Sequence, residues 1–287
     1  MNGPREIEAP EPDEVERLAE DLVRVPVRTA TLAPATRTNA FWVQDGRGWW
    51  LVDPGADDEE ALAAYRAGLD AVGGSEGSVQ GVLLTHHHPD HVGGVRLLAR
   101  REGWPVCAHP ASPLRERWPG LPWVTPDASG RLGELRVRWT PGHASDHWVV
   151  ETPLGGWLMG DVVTGLGTVV IAPPDASMGA YLRTLEGCLE AMPARVHPAH
   201  GQTIAEAHAH VERLIAHRLG REALVLRALT QEGQPIDAVT RQAYAELAPR
   251  FWPLAALSTL AHLEKLGEEG RASRDEAGRW RRGNDGA

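Results

Sequence analysis

The apolar positions change period once along this chain, and the change divides it. Val79 to Leu84 is an apolar run broken only by Gln80 and Gly81, the pattern of a buried strand. Leu135-Arg136-Val137-Arg138-Trp139 alternates apolar and polar, the period of a strand with one face inward. Shorter apolar runs at Leu51-Val52, at Trp157-Leu158-Met159 and around Val196 read as further strands. From about Ala205 the spacing becomes helical, with Leu214, Ile215, Leu219, Leu224, Val225 and Leu229 three to four apart. Gly233 and Pro235 break that helix. Ile236 to Leu247 and Leu254 to Leu266 predict two more helices, and Arg271 to Arg282, turning at Ala277-Gly278, predicts a terminal hairpin. Three helices and a hairpin describe a winged helix. The expected organisation is an acidic leader over residues 1–24, partly disordered, a main α/β domain over 25–204, and a winged-helix-like domain over 205–287. No apolar run approaches the roughly 18 residues of a membrane-spanning helix. The N-terminus, Met1 to Glu8, is acidic and lacks the apolar centre of a secretory signal.

Chemistry concentrates where the strands end. His86-His87-His88-Pro89-Asp90-His91 follows the Val79–Leu84 strand and precedes Val92-Gly93-Gly94-Val95, where a helix can begin. Neutral imidazole and carboxylate are the ligands that borderline cations such as Zn²⁺ prefer. In an extended segment residues two apart share a face, so His86 and His88 can grip one metal while Asp90 and His91 turn toward a second. The pattern repeats downstream. His143 follows the Leu135–Trp139 strand, Asp161 follows Trp157–Gly160, and His200 follows Val196, each beside Gly or Pro.

Composition narrows the setting. The net charge is −10, and residues 1–199 account for all of it, with 17 basic and 27 acidic side chains. An acidic main domain does not draw in polyanions through its long-range field. Two separated cysteines, Cys107 and Cys188, fit a reducing cytoplasmic setting as buried small residues. Among 11 tryptophans, Trp49, Trp50, Trp139 and Trp157 fall in strand-like runs and are expected in the core. Trp104, Trp118 and Trp123 sit among prolines in the Gly103–Gly130 segment, either as a lid or pocket wall or as a seal over a core edge.

These motifs resemble the metallo-β-lactamase superfamily of hydrolases, in its order: His86-x-His88-x-Asp90-His91, then His143, Asp161 and His200. Asp53 in Leu51-Val52-Asp53-Pro54-Gly55 matches the acidic strand end that supports such sites. Within the superfamily the chain is most similar to glyoxalase II-like enzymes, and specifically to the β-lactamase-like protein two subgroup. Pro141-Gly142-His143-Ala144-Ser145-Asp146-His147, Gly160-Asp161 with Gly165-Leu166-Gly167-Thr168, and the helical tail carry that closer likeness. The resemblance implies an αββα sandwich with two zinc ions per chain, Mn²⁺ or Fe²⁺ being possible occupants. His86, His88 and His143 would hold one ion, Asp90, His91 and His200 the other, and Asp161 would bridge them. His87 falls on an unspecified position and is read as a non-ligand. His147 is read as orienting a ligand through a hydrogen bond, or as packing. Departures bear on chemistry. β-Lactamases often carry cysteine where Asp161 stands, and diiron flavoproteins of this fold carry a carboxylate where His88 stands.

The activity implied is hydrolysis by a metal-bridged hydroxide, with Asp90 also passing the proton. A small-molecule thioester or ester is the first substrate class. The alternative is endonucleolytic cleavage of single-stranded RNA, through Arg271, Arg274, Arg279, Arg281 and Arg282 interleaved with Trp280 in the tail hairpin. The subgroup resemblance also allows a homodimer formed through the tail. Two rivals from other classes are a structural metal site and a mononuclear iron dioxygenase. The first would not use seven ligands, and the second would leave the second ligand set without a purpose.

Overall fold

The computed structural model describes residues 11–283, which fall into two compact units. One holds the chain up to Thr140 together with Asp146–Val169 and Met192–Ala207; the other holds Pro141–Ser145, Val170–Ala191 and the chain from His208 on.

The first unit is a sandwich of two mixed sheets. Strands β1 (Glu16–Ala19), β2 (Leu22–Arg28), β3 (Arg37–Gln44), β4 (Trp49–Val52), β5 (Val79–Leu83), β6 (Val106–Cys107) and β7 (Trp123–Val124) lie side by side in that order. The first four pair antiparallel, and β4 through β7 pair parallel. Parallel neighbours need crossovers. Helix α1 (Glu59–Asp70) supplies the first, its N-terminus capped by the Asp58 carboxylate accepting from Ala61 N at 2.9 Å. The second crossover holds α2 (Pro89–Val92) and α3 (Val95–Arg101), and the third holds α4 (Leu114–Arg117). The second sheet, β8 (Arg131–Leu132), β9 (Leu135–Trp139), β10 (Trp148–Glu151), β11 (Trp157–Gly160) and β12 (His197–Pro198), is antiparallel until β12 pairs parallel to β11. Leu22, Phe41, Trp50, Leu83, Leu135, Trp148 and Leu158 fill the space between the sheets, and Val23, Trp42, Tyr65, Leu69, Val95 and Leu98 pack under the helices on the other face. The indole N–H of Trp42 donates to Tyr65 O and that of Trp50 to Asp45, so both rings are buried with their polar atoms satisfied.

Parallel pairing has a direct consequence for the site. The carboxyl ends of β4, β5 and β6 lie at one edge of the first sheet, and those of β11 and β12 lie together in the second. Asp53 and Thr85–His91 follow β4 and β5; Asp161 and His200 follow β11 and β12.

Two expectations change, and a third, left open between two readings, is resolved. The part of the leader over residues 1–10 lies outside the described residues, but Glu11 accepts from Thr36 N and Arg37 N, β1 forms, and β2 begins at Leu22 inside the expected leader. Val23 and Val25 are fully buried on β2, so an acidic flank conceals a sheet strand. Trp139 is 60 % exposed although it continues the inward row of Leu135 and Val137, because β9 ends there at the rim of the sandwich. Trp104, Trp118 and Trp123 are partly buried against the core under the first sheet's helices, which resolves their two readings in favour of a core seal.

The second unit contains α5 (Met178–Leu189), α6 (Ala207–Ala228), α7 (Ile236–Ala243), α8 (Trp252–Glu268) and the hairpin β13 (Ala272–Arg274) and β14 (Trp280–Arg282). Val225, Leu229, Val239, Leu263, Leu266 and Trp280 form its core, the winged helix that the periodicity describes. The buried Glu222 carboxylate is balanced by Lys265 at 2.9 Å and Arg271 at 3.2 Å.

Two glycines let the metal-motif turn lie on the turn after β4. A Cβ on Gly93 would come within 2.2 Å of Gly55 O, and one on Gly55 within 2.0 Å of Asp90 O. Gly93→Ala is expected to destabilise the protein by about 1–3 kcal/mol through this overlap. Gly187→Ala on α5, where an added Cβ meets nothing within 4 Å, is expected to gain up to about 1 kcal/mol of helix propensity. Urea unfolding of both variants checks the pair, and equal midpoints would refute the close-approach account.

Candidate metal centre

Asp53 organises the site. It adopts φ +50°, a left-handed conformation uncommon for any residue but glycine and tolerated best by Asn and Asp. Its carboxylate, 2 % exposed, accepts from Thr85 N at 2.8 Å, Thr85 Oγ1 at 2.6 Å and His91 Nδ1 at 2.9 Å. One anion thus fixes the start of the histidine run and one of its rings. The Thr85 hydroxyl proton goes to Asp53, so the 3.0 Å contact of Thr85 Oγ1 with His86 Nδ1 is donated by the imidazole. His86 Nε2 therefore carries the lone pair, and it sits 3.0 Å from His88 Nδ1. Nitrogens bound to one tetrahedral zinc at about 2.0–2.1 Å stand about 3.3 Å apart, so this spacing suits a shared cation.

His91 is fully buried, with Nδ1 given to Asp53 and Nε2 lacking any hydrogen-bond partner. That Nε2 lies 3.6 Å from Asp161 Oδ1 and 3.9 Å from Asp90 Oδ1. His200 repeats the arrangement: Nδ1 donates to Arg37 O at 2.8 Å, and Nε2 faces Asp161 Oδ1 at 3.4 Å and Asp90 Oδ2 at 3.5 Å. Asn39 holds the His200 turn by donating from Nδ2 to Pro198 O and Gly201 O. The ligand atoms of His86, His91 and Asp161, and those of Asp90, His91 and His200, each lie within 4.8 Å of one another. A buried imidazole nitrogen without a partner, facing two carboxylates at ligand-to-ligand spacing, fits a divalent cation. The oxygen and nitrogen donors fit a borderline metal.

His143 belongs to the second unit, where its Nδ1 donates to Val170 O at 2.9 Å. It shares with His86, His91 and His200 an outer hydrogen bond that fixes which nitrogen carries the proton. His147 is fully buried. Asp161 N donates to His147 Nε2 at 3.0 Å, so His147 Nδ1 carries the proton and gives it to Thr140 Oγ1 at 2.9 Å. It therefore orients the backbone that presents Asp161. His87 turns to Asp146, Nδ1 to Oδ1 at 2.7 Å.

Thr85, Thr140, Asn39 and Asp146 were not singled out by sequence. Thr85 offered a signal, a polar residue between strand and motif. Asn39 offered none, since its partners lie some 160 residues away.

The charges are mutually dependent. Burial pushes His200 down, but the Asp161 and Asp90 carboxylates outweigh it and hold the imidazole up to about 10. Burial likewise opposes charge on His91, yet Asp161, Asp53 and Asp90 raise it well above the usual imidazole range. Asp161 and Asp90 resist the upward push of burial through His200 and His91 and stay below the ordinary carboxylate range. A raised imidazole pKa stabilises the metal-free fold fully below about 6.5 and ceases to as pH rises through about 10. Thermal unfolding of metal-free protein should therefore show a falling midpoint between pH 7 and 10.5, and His200→Ala should flatten that fall. Parallel profiles for the two proteins would contradict the coupling.

Residues 33–200 match the metallo-beta-lactamase superfamily, and residues 236–280 match the beta-lactamase associated winged helix domain. The chain is 29 % identical over 284 residues to the beta-lactamase-like protein 2 homolog of Drosophila melanogaster, covering 90 % of this chain and 91 % of that protein. It is 26 % identical over 234 residues to an atrochrysone carboxyl ACP thioesterase of Passalora fulva, covering 79 % and 67 % respectively. A metallo-beta-lactamase family protein of Thermus thermophilus superposes with a TM-score of 0.74 at 25 % identity, over 93 % of this chain and all of that one. With its sandwich, its histidine and aspartate cluster and its winged helix, the chain belongs to the metallo-β-lactamase superfamily of metal-dependent hydrolases.

Proposed function

We propose that this chain hydrolyses a small-molecule thioester or ester with two zinc ions. His86, His88 and His143 would hold one ion and Asp90, His91 and His200 the other, with Asp161 available to both. The observation that carries this is the convergence of His91 Nε2, His200 Nε2, Asp90 and Asp161, with both imidazoles pinned from outside. A pair of bound cations supplies Lewis acidity and lowers the pKa of a water toward about 7. Asp90 offers one oxygen to each side, Oδ1 toward His91 and Oδ2 toward His200, and it takes the proton of the attacking water. Asp53 and His147 keep His91 and Asp161 aimed while charge moves. All seven ligands come from one chain, so one chain is the catalytic unit in this proposal.

Thioester chemistry is supported by the relative named as an ACP thioesterase. The RNA alternative loses its best support in the hairpin. Trp280 is 7 % exposed, so it is not a stacking platform. Arg271 pairs with Glu222 and Glu269, Arg279 with Gly233 O, Arg281 with Ser273, and Arg274 lies over the Trp280 ring. The tail dimer of the sequence reading has no comparable observation behind it. Among the described residues no helix is long and apolar enough to cross a membrane. Both cysteines are buried thiols, as a cytoplasmic setting allows.

Asp90→Ala should abolish thioester turnover, at least a 10²-fold loss of kcat by the usual worth of proton transfer. Turnover that survives with full metal content removes the proton-transfer role. Because the surrounding carboxylates raise both His200 and His91 above the ordinary imidazole range, metal uptake is expected to displace protons. Calorimetry in two buffers of different ionisation enthalpy should show net proton release, with affinity falling as pH falls. Identical heats in both buffers would contradict this. A salt series with single-stranded RNA should give a flat response, whereas a steep negative slope would reinstate the nuclease.

A further inference from the structure

Trp139 is the last residue of β9, and its position in the sheet is defined. β9 runs antiparallel to β10, and β10 antiparallel to β11, so the end of β9 lies at the edge that carries Asp161. Two strand spacings, about 10 Å, separate the two strands there. Across the ladder Trp139 pairs with Trp148, whose N–H donates to Thr85 O beside His86. The indole continues the inward row of Leu135 and Val137 past the rim, where it is 60 % exposed. His109, two residues beyond the end of β6, stacks on it at 5.8 Å and 26° and meets Trp148 edge-on at 5.6 Å. Both sheets therefore contribute to one aromatic shelf at the edge that bears the candidate metal centre.

The charges around the shelf describe what it accepts. Arg115 is committed to three carbonyls, Ala108 O, His109 O and Val124 O. Arg138 is held by Glu151 and lies over Trp157. Asp146 is engaged by His87. The shelf thus presents indole and imidazole surface beside cations and anions that are already matched. It suits an uncharged, flat apolar group and offers no guanidinium to a carboxylate such as those of glutathione.

We propose that Trp139 and His109 form the acyl-binding subsite, and that it selects thioesters with an aryl or similarly planar apolar acyl group. This rests on the hydrolase reading. In the reaction water adds to the carbonyl carbon, the C–S bond breaks, and the products are the aryl carboxylic acid and the thiol, with no redox partner. Aromatic contacts of this kind, added to the area they bury, amount to about a tenfold effect on affinity.

The test compares wild type, Trp139→Ala and Trp139→Phe in two ways. Calorimetry on metal-free protein measures the phenacyl thioether of N-acetylcysteamine, a non-hydrolysable probe. Kinetics on zinc-loaded protein measures benzoyl against acetyl N-acetylcysteamine thioesters. Trp139→Ala should weaken the phenacyl probe about tenfold and cut the benzoyl-over-acetyl preference about tenfold, mainly through KM, while Trp139→Phe keeps most of both. Equal probe affinity in wild type and Trp139→Ala, equal losses for benzoyl and acetyl substrates, or displacement of the probe by single-stranded RNA would each overturn the proposal. Probe binding that depends on Trp139 without any thioester turnover supports the shelf and refutes the thioesterase reading, so the two failures are separable.

Discussion

The centre depends on one buried carboxylate. Asp53, strained into a left-handed conformation at the end of β4, spends its two oxygens on the backbone and hydroxyl of Thr85 and on the ring of His91. Because β4 and β5 are parallel neighbours, this anion bonds directly across to the next strand's end. Its Oδ2 fixes the Thr85 hydroxyl, which fixes the tautomer of His86, and the same oxygen takes Nδ1 of His91, while Oδ1 holds the Thr85 backbone. A mobile solvated carboxylate could not impose this order. Burial, which ordinarily opposes charge, is what makes each bond here decisive.

Three further candidate ligands, His200, His143 and Asp161, obey the same logic from other elements. Arg37 O orients His200, Val170 O orients His143, and His147 orients the backbone of Asp161. His86, His91, His143 and His200 each have one nitrogen assigned outward, and for His86, His91 and His200 the other nitrogen faces further candidate ligand atoms. Outer partners of this kind set ligand basicity as well as aim. The raised His200 and His91 and the depressed Asp90 and Asp161 are the electrostatic result of bringing these groups together.

Much of this was legible because it is local. The His86–His91 run, its strand and its glycines are contiguous, and β5, β9 and β11 formed where the apolar patterns lay. The winged helix was legible from its helical period, although α7 stops at Ala243, short of the expected Leu247. What sequence did not reveal depends on distant pairing or on where an element stops. Asn39 meets its partners only after the fold closes. Trp139 keeps the inward period of β9 but emerges because the sandwich ends beneath it. Trp280 looked like a stacking residue among arginines, but β14 is a short strand whose inward position it occupies, and the arginines close on local partners. The acidic composition of the first residues concealed β1 and the start of β2 for the same reason: net charge says nothing of pairing.

The central claim is that one chain assembles two adjacent cation sites sharing Asp161. Elemental analysis of the purified protein tests it most directly. The account predicts close to two zinc ions per chain, falling when Asp161 is replaced by Ala. One iron per chain, or a single zinc that Asp161→Ala leaves in place, would contradict it.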